Sequence, residues 1–228
     1  TRIDTVMILG MCSKGEAGVY RVIASVALLL NVPVKALSQA TFASIARMIA
    51  REAYDELCVL YKALTLYQCF FSCLVFSLMY TALPYVFYAL PQGFLTRGRY
   101  VFIMLAMGEV VYNMFSTSHA ILVFSRYFRF NVLTFILLLL GVVANYVMIG
   151  TWGMLGASSA TCLILISAGA CTCALVWYKL GMHPFSLELF VVLGGTVVGV
   201  LVQGWVSLAS DMWLDRVLWM VVSAVWYG

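Results

Sequence analysis

Charge is what this chain has least of: Asp, Glu, Lys and Arg make up 10% of its 228 residues, against roughly 25% in a soluble domain. Apolar residues make up 64% and the mean hydropathy is +1.04, more apolar surface than a water-soluble fold could hide. Long polar stretches are also lacking. The longest, Arg47 to Lys62, is loop-sized, so no separate soluble domain is expected. There is no HExxH, no GxSxG and no glycine-rich phosphate loop, which argues against a metalloprotease, a hydrolase elbow or a phosphate-loop enzyme. The first residues lack the basic region, apolar core and small-residue cleavage site of a signal peptide.

What remains is a succession of long apolar segments, near 18–46, 58–83, 100–124, 131–150, 154–178 and 186–208, with a further one from Met212 stopping at Gly228. A membrane helix needs about 20 such residues. These runs are too long and continuous for the roughly 10-residue alternating strands of an outer-membrane barrel, and helices are the other way to satisfy every backbone group in lipid. The expected fold is therefore an all-α polytopic membrane protein, a single bundle of six to seven transmembrane helices over residues 1–228. Thr5 to Cys12 reads as the tail of another helix, and the chain opens on Thr1, so a piece of a larger protein is expected. Arg47 to Lys62 alternates charged residues with Ala50, Tyr54 and Leu57, the pattern of a short amphipathic interfacial helix.

Basic residues set the expected orientation, because Lys and Arg in short loops prefer the cytoplasm. Loops holding Arg47/Arg51/Lys62, Arg126/Arg129 and Lys179 then face inward, alternating with those around Lys14, Arg97/Arg99 and Arg216. The net charge of +4 is what such loops produce and points to no nucleic-acid partner. The seven cysteines match no zinc spacing, and six lie in or beside apolar helices, where Cys packs as a small hydrophobe. No metal and no cofactor is expected. Ser118 and His119 are neighbours that diverge by about 100° on a helix, and His183 precedes Pro184 in an inner loop, so no catalytic residue is expected.

Polar groups inside the membrane are costly unless they face a cavity or a partner. Arg21, Asn31, Lys35, Ser38 and Gln39 interrupt the first span. Arg21 and Lys35 are fourteen residues apart, close to four turns at about 3.6 residues each, so they share a face that could line an aqueous cavity for an anion. Arg21 can equally snorkel to the headgroups; Lys35, roughly 20 Å further along by helical rise, reaches them less easily. Pro33 removes a backbone hydrogen bond beside that cation and is the expected hinge. Glu109 and Asn113, one turn apart in the third span, share a face. Glu109 reads as an ion-coupling carboxylate, as a counter-charge to Lys35 or Arg21, or as buried glue. Gly153, Gly156, Ala157 and Ala160, and the pair Gly195/Gly199, are the expected close-packing stripes.

The run Asn145-Tyr146 … Gly150-Thr151-Trp152-Gly153-Met154-Leu155-Gly156-Ala157-Ser158-Ser159-Ala160-Thr161 resembles a segment of the polysaccharide flippases of the multidrug/oligosaccharidyl-lipid/polysaccharide superfamily. There an Asn-rich turn precedes a GxxGAAxAT-like helix start; Ser158 and Ser159 here stand where alanines are usual. Tyr127-Phe128-Arg129-Phe130-Asn131 and Lys179-Leu180-Gly181-Met182-His183-Pro184-Phe185-Ser186 look like the loops on either side. Arg2-Ile3-Asp4-Thr5 … Gly15-Glu16-Ala17-Gly18-Val19-Tyr20 resembles the start of the family's second half.

The resemblance implies the C-terminal lobe of a two-lobed transporter of about twelve to fourteen helices, whose partners are the missing N-terminal lobe, membrane lipids and a lipid-linked oligosaccharide moved by alternating access. The implied location is the bacterial inner membrane. Lys35 and Arg21 would meet the polyprenyl diphosphate, and Asn31, Gln39, Asn113 and Tyr112 the sugars. Three alternatives stand beside it: a drug or metabolite antiporter of the same superfamily; an intramembrane lipid glycosyltransferase or phosphotransferase, for which Glu52/Asp55/Glu56 is the one acidic cluster; and a purely structural membrane subunit in which Lys35 and Glu109 pair as glue.

Overall fold

The computed structural model describes residues 2–88 and 95–209, and every regular element among them is helical. The segment from Met212 onward, with Arg216, lies outside the described residues. In order the helices are α1 (Arg2–Met11), α2 (Lys14–Ala27), α3 (Asn31–Ala50), α4 (Tyr54–Tyr88), α5 (Leu95–Met114), α6 (Ser116–Phe124), α7 (Asn131–Trp152), α8 (Met154–Leu180) and α9 (Leu187–Ala209). A 3-10 turn, Leu28–Leu30, joins α2 to α3, and another, Phe128–Phe130, precedes α7.

Four stretches are long and apolar enough to cross a membrane: Lys14–Ala50, Tyr54–Leu83, Phe128–Trp152 and Met154–Leu180. A fifth results if α5 and α6, bent by 43° at their junction, count together. The expected six to seven spans are thus four or five among the described residues. The 100–124 segment is broken, and the apolar Leu187–Val200 part of α9 is shorter than a span.

Local sequence explains the helix ends. Ser13 caps α2 by accepting the Glu16 N–H at 3.2 Å, the usual work of a serine at that position. Between α3 and α4 the chain reverses in three residues: Ala53 N–H bonds the Met48 carbonyl and Glu52 N–H that of Ile49, a Schellman closure. Glu52 sits there at φ 55, a conformation that a non-glycine residue adopts at a cost of about 1 kcal/mol. This turn replaces the interfacial helix expected over Arg47 to Lys62. Arg47 falls in the last turn of α3 and Asp55 and Glu56 in the first of α4, where each charge complements its helix dipole.

Helix α8 lies at the centre, packed chiefly against α5 and α7, and glycines permit the approach. A Cβ on Gly108 would stand 2.9 Å from the Cys162 Cα, and one on Gly156 would overlap the Met148 carbonyl. Gly199, by contrast, meets no neighbour among the described residues. Helix α7 is peripheral: 22% of its apolar window is buried, and Val132, Phe135, Leu139 and Val143 stand outward, as suits a lipid-facing surface.

The connections gather at two ends. Ile45, Leu57, Ile121, Val176 and Met182 form one cluster beneath the turns at 51–53, 125–130 and 181–186. At the other end Cys12 meets the Gly153 turn, and Glu16 and Arg97 line a hollow with Thr151 to Leu155. Arg47, Arg51, Lys62, Arg126, Arg129 and Lys179 therefore share the first end and Lys14, Arg97 and Arg99 the second, in the alternation expected from the basic residues.

Candidate functional site at two interrupted helices

Two apolar segments are interrupted, and the interruptions touch. In the first, Pro33 lacks the N–H that would bond the Leu29 carbonyl one turn earlier, and the chain tightens into the 3-10 turn Leu28–Leu30 there. In the second, α5 stops at Met114 and α6 begins at Ser116 with a bend of 43°. No proline or glycine explains this break; side-chain partners of the new helix start do. Asn113 Nδ2 reaches across to the Leu30 carbonyl at 3.5 Å, joining one break to the other.

A polar cluster surrounds the junction. Glu109 is 6% exposed and Asn31 9%, and the Asn31 side chain lies beside the Glu109 carboxyl group. Among the described residues no salt bridge joins Lys35 to Glu109, and Lys35 itself is exposed. The Asn31 Oδ1 is buried without a hydrogen-bond partner, an arrangement that costs about 1–3 kcal/mol when left unsatisfied. A buried carboxyl group and an unpartnered amide oxygen thus lie together, with an exposed ammonium on the same helix as Asn31.

Below the bend a second set of polar groups is fully matched. Gln68, with no exposed surface, donates Nε2–H to Ser38 Oγ at 3.2 Å and accepts from Thr117 Oγ1 at 2.9 Å. Ser38 lies 3.4 Å from Ser116, and Tyr61 bonds Ser118 at 2.6 Å. The Ser116-Thr117-Ser118 start of α6 is thus tied to α3 and α4, with Ser118 bonded to Tyr61.

A third polar node lies between α1, α2, α7 and α8. Asp4 accepts Asn145 Nδ2–H at 3.1 Å and Thr161 Oγ1–H at 3.2 Å. Tyr20, completely buried, lies beside Asp4 and Thr161 with its hydroxyl outside hydrogen-bond geometry, and Asn145 Oδ1 is likewise unpartnered. About 12 Å of helix separates Asp4, Asn145 and Thr161 each from the Cys12–Gly153 end. The node brings the Asn145-to-Thr161 run and the Asp4-containing start onto one point.

Of the residues expected from sequence, Asn31, Glu109 and Asn113 converge, and Lys35 stands at their open edge. Tyr112 is half-buried on α5, its backbone against Gly169 of α8. Arg21 and Gln39 are exposed on α2 and α3, away from this cluster's hydrogen bonds. Pro33 stands in the first turn of α3, one turn after the break it helps to create. Sequence reasoning missed Gln68, Thr117 and the role of Asp4; Gln68, an amide inside an apolar run, carried the same signal as Asn113. Among the described residues no group of three or more His, Cys, Asp or Glu could hold a metal ion. Compared with family models, curated proteins and solved structures, the chain matches none of them.

Proposed function

We propose that this chain is a lobe of a membrane transporter that moves a lipid-linked oligosaccharide, carried on a polyprenyl diphosphate, to the outer leaflet of a bacterial inner membrane for polysaccharide export. The observation that carries the reading is the meeting of two interrupted membrane helices at a buried carboxylate. Discontinuous helices place backbone dipoles and polar side chains at mid-membrane, which is where transporters bind and release their cargo. Lys35, exposed beside that junction, and Arg21 would offset the cost of bringing diphosphate into low dielectric. Asn31, Asn113, Gln39 and Tyr112 would meet the sugars, and Glu109 would couple the cycle to an ion. An apolar groove of about 490 Å³ between α4 and α9, lined by Leu66, Tyr67, Phe70, Phe71 and Val191, suits the polyprenyl tail.

Complementation in cells lacking the corresponding gene tests it, with surface polysaccharide and lipid-linked intermediate both quantified. The wild-type protein restores surface glycan and clears the intermediate, and Lys35→Ala abolishes both effects. Unchanged flipping in Lys35→Ala sinks the anion site. Intermediate that never forms without the protein points to an enzyme upstream.

A second reading, an antiporter of drugs or metabolites, is favoured by the two buried acids, Asp4 and Glu109. It predicts cation-driven uptake of small cationic dyes into vesicles and no effect on lipid-linked intermediates.

A further inference from the structure

The turn between α6 and α7 and the end of α8 carry a cluster of cations that the transport site leaves unused. Arg126 lies 5.0 Å from the centre of the Tyr127 ring, and Lys179 lies 5.8 Å from the same centre. Lys179 is held at the same time over Phe130 and Tyr178, each at 5.1 Å. Arg129 stands in the same turn, in the last residues before α7. Among the described residues no salt bridge reaches Arg126, Arg129 or Lys179. Like charges drawn onto one ring repel, and the aromatic faces offset only part of that.

What lies next to the cluster fixes what covers it. Phe128, Phe130, Trp177 and Tyr178 are exposed, the aromatic composition of a membrane interface. From Val132 onward the outward face of α7 is continuous apolar surface. A ligand completing this patch has an anionic head for the three cations and hydrocarbon for the adjoining face of α7. We infer that Arg126, Arg129 and Lys179 form a site for the phosphate headgroup of an anionic glycerophospholipid, whose acyl chains lie along Phe128, Val132 and Phe135. Basic pockets at helix ends on the cytoplasmic side bind such headgroups elsewhere, and continuity with the lipid-facing helix selects a membrane lipid over a soluble phosphate. The inference is independent of the cargo, since it holds for any membrane protein with this surface.

The test uses the full chain in lipid nanodiscs, with native mass spectrometry counting phosphatidylglycerol against phosphatidylcholine retained after delipidation. Wild-type protein retains phosphatidylglycerol preferentially, and glycerol phosphate at equal concentration does not displace it. The triple variant Arg126→Gln, Arg129→Gln, Lys179→Gln loses the preference, by roughly fivefold per cation and on the order of a hundredfold together. High salt weakens the preference of the unaltered protein, because exposed charges are screened, which covers the case of a misfolded variant. Equal retention of the two lipids by the wild type overturns the site. Displacement by glycerol phosphate overturns the lipid assignment.

Discussion

Asn113 Nδ2 donates to the Leu30 carbonyl across 83 residues of sequence, at 3.5 Å, so that the bend between α5 and α6 is tied to the 3-10 turn between α2 and α3. A single interhelical hydrogen bond in a bilayer contributes about 0.6 kcal/mol, and at most about 1.7. Asn113→Leu is therefore expected to lower stability by less than about 2 kcal/mol in reversible unfolding, while the transport proposed above falls at least tenfold. A variant that transports at the wild-type rate shows that the junction is only structural.

Glu109→Gln keeps the size and one hydrogen-bonding oxygen of the side chain but cannot exchange a charge. Helical content and melting temperature should stay near wild type, and under the proposed ion-coupled transport accumulation against a gradient should be lost while downhill exchange persists. Loss of downhill exchange as well would assign Glu109 to the cargo path in place of ion coupling.

At Asp4 both neighbours donate: Asn145 Nδ2–H and Thr161 Oγ1–H point at its two oxygens. Asp4→Asn turns one acceptor into a donor facing a donor, and one buried donor goes unpaired. The expected loss is about 1–3 kcal/mol in denaturant titration, and adding Asn145→Asp should restore part of it, because the new amide at position 4 then donates to the new carboxylate at position 145.

Two glycines on neighbouring helices separate backbone from side-chain contact. Gly156→Ala drives a methyl into the Met148 carbonyl, while Gly141→Ala meets only the Ile164 side chain. The first must part α7 from α8 and is expected to cost about 1–3 kcal/mol; the second needs a rotamer change of about 1 kcal/mol. Equal melting temperatures for the two variants would refute the close approach of α7 and α8.

Cys12 lies in the turn before α2. Burial, with Glu16 beside it, pushes its thiol above the usual range. Since the thiolate is the reactive form, maleimide labelling of Cys12 at neutral pH should run slower than that of a free thiol and accelerate as pH rises. Glu16→Gln removes the smaller, electrostatic part of the shift and should speed labelling modestly, read by peptide mass spectrometry. A rate indistinguishable from a free thiol across the pH range would contradict the assigned surroundings.

The helices and the gathering of their basic ends were legible because each depends on summed apolarity and on where Lys and Arg fall. The convergence of Asn31, Glu109 and Asn113 was legible in part: polar residues in apolar runs must find one another. The break between α5 and α6 was not, since Ser116, Thr117 and Ser118 start a new helix only because Ser38, Gln68 and Tyr61 wait opposite, a tertiary fact with no local mark. Pro33 pointed to a kink near itself, and the distortion appears one turn earlier because the missing N–H orphans a carbonyl there. Arg47 to Lys62 misled by its alternation; its charges serve two helix dipoles meeting at one turn.

Gly153 alone separates α7 from α8, at φ 57 and ψ −132, a combination that only glycine adopts readily. No further stretch of chain exists between the two helices. The far ends of the pair, at Asn131 and Leu180, therefore return to the same end of the bundle.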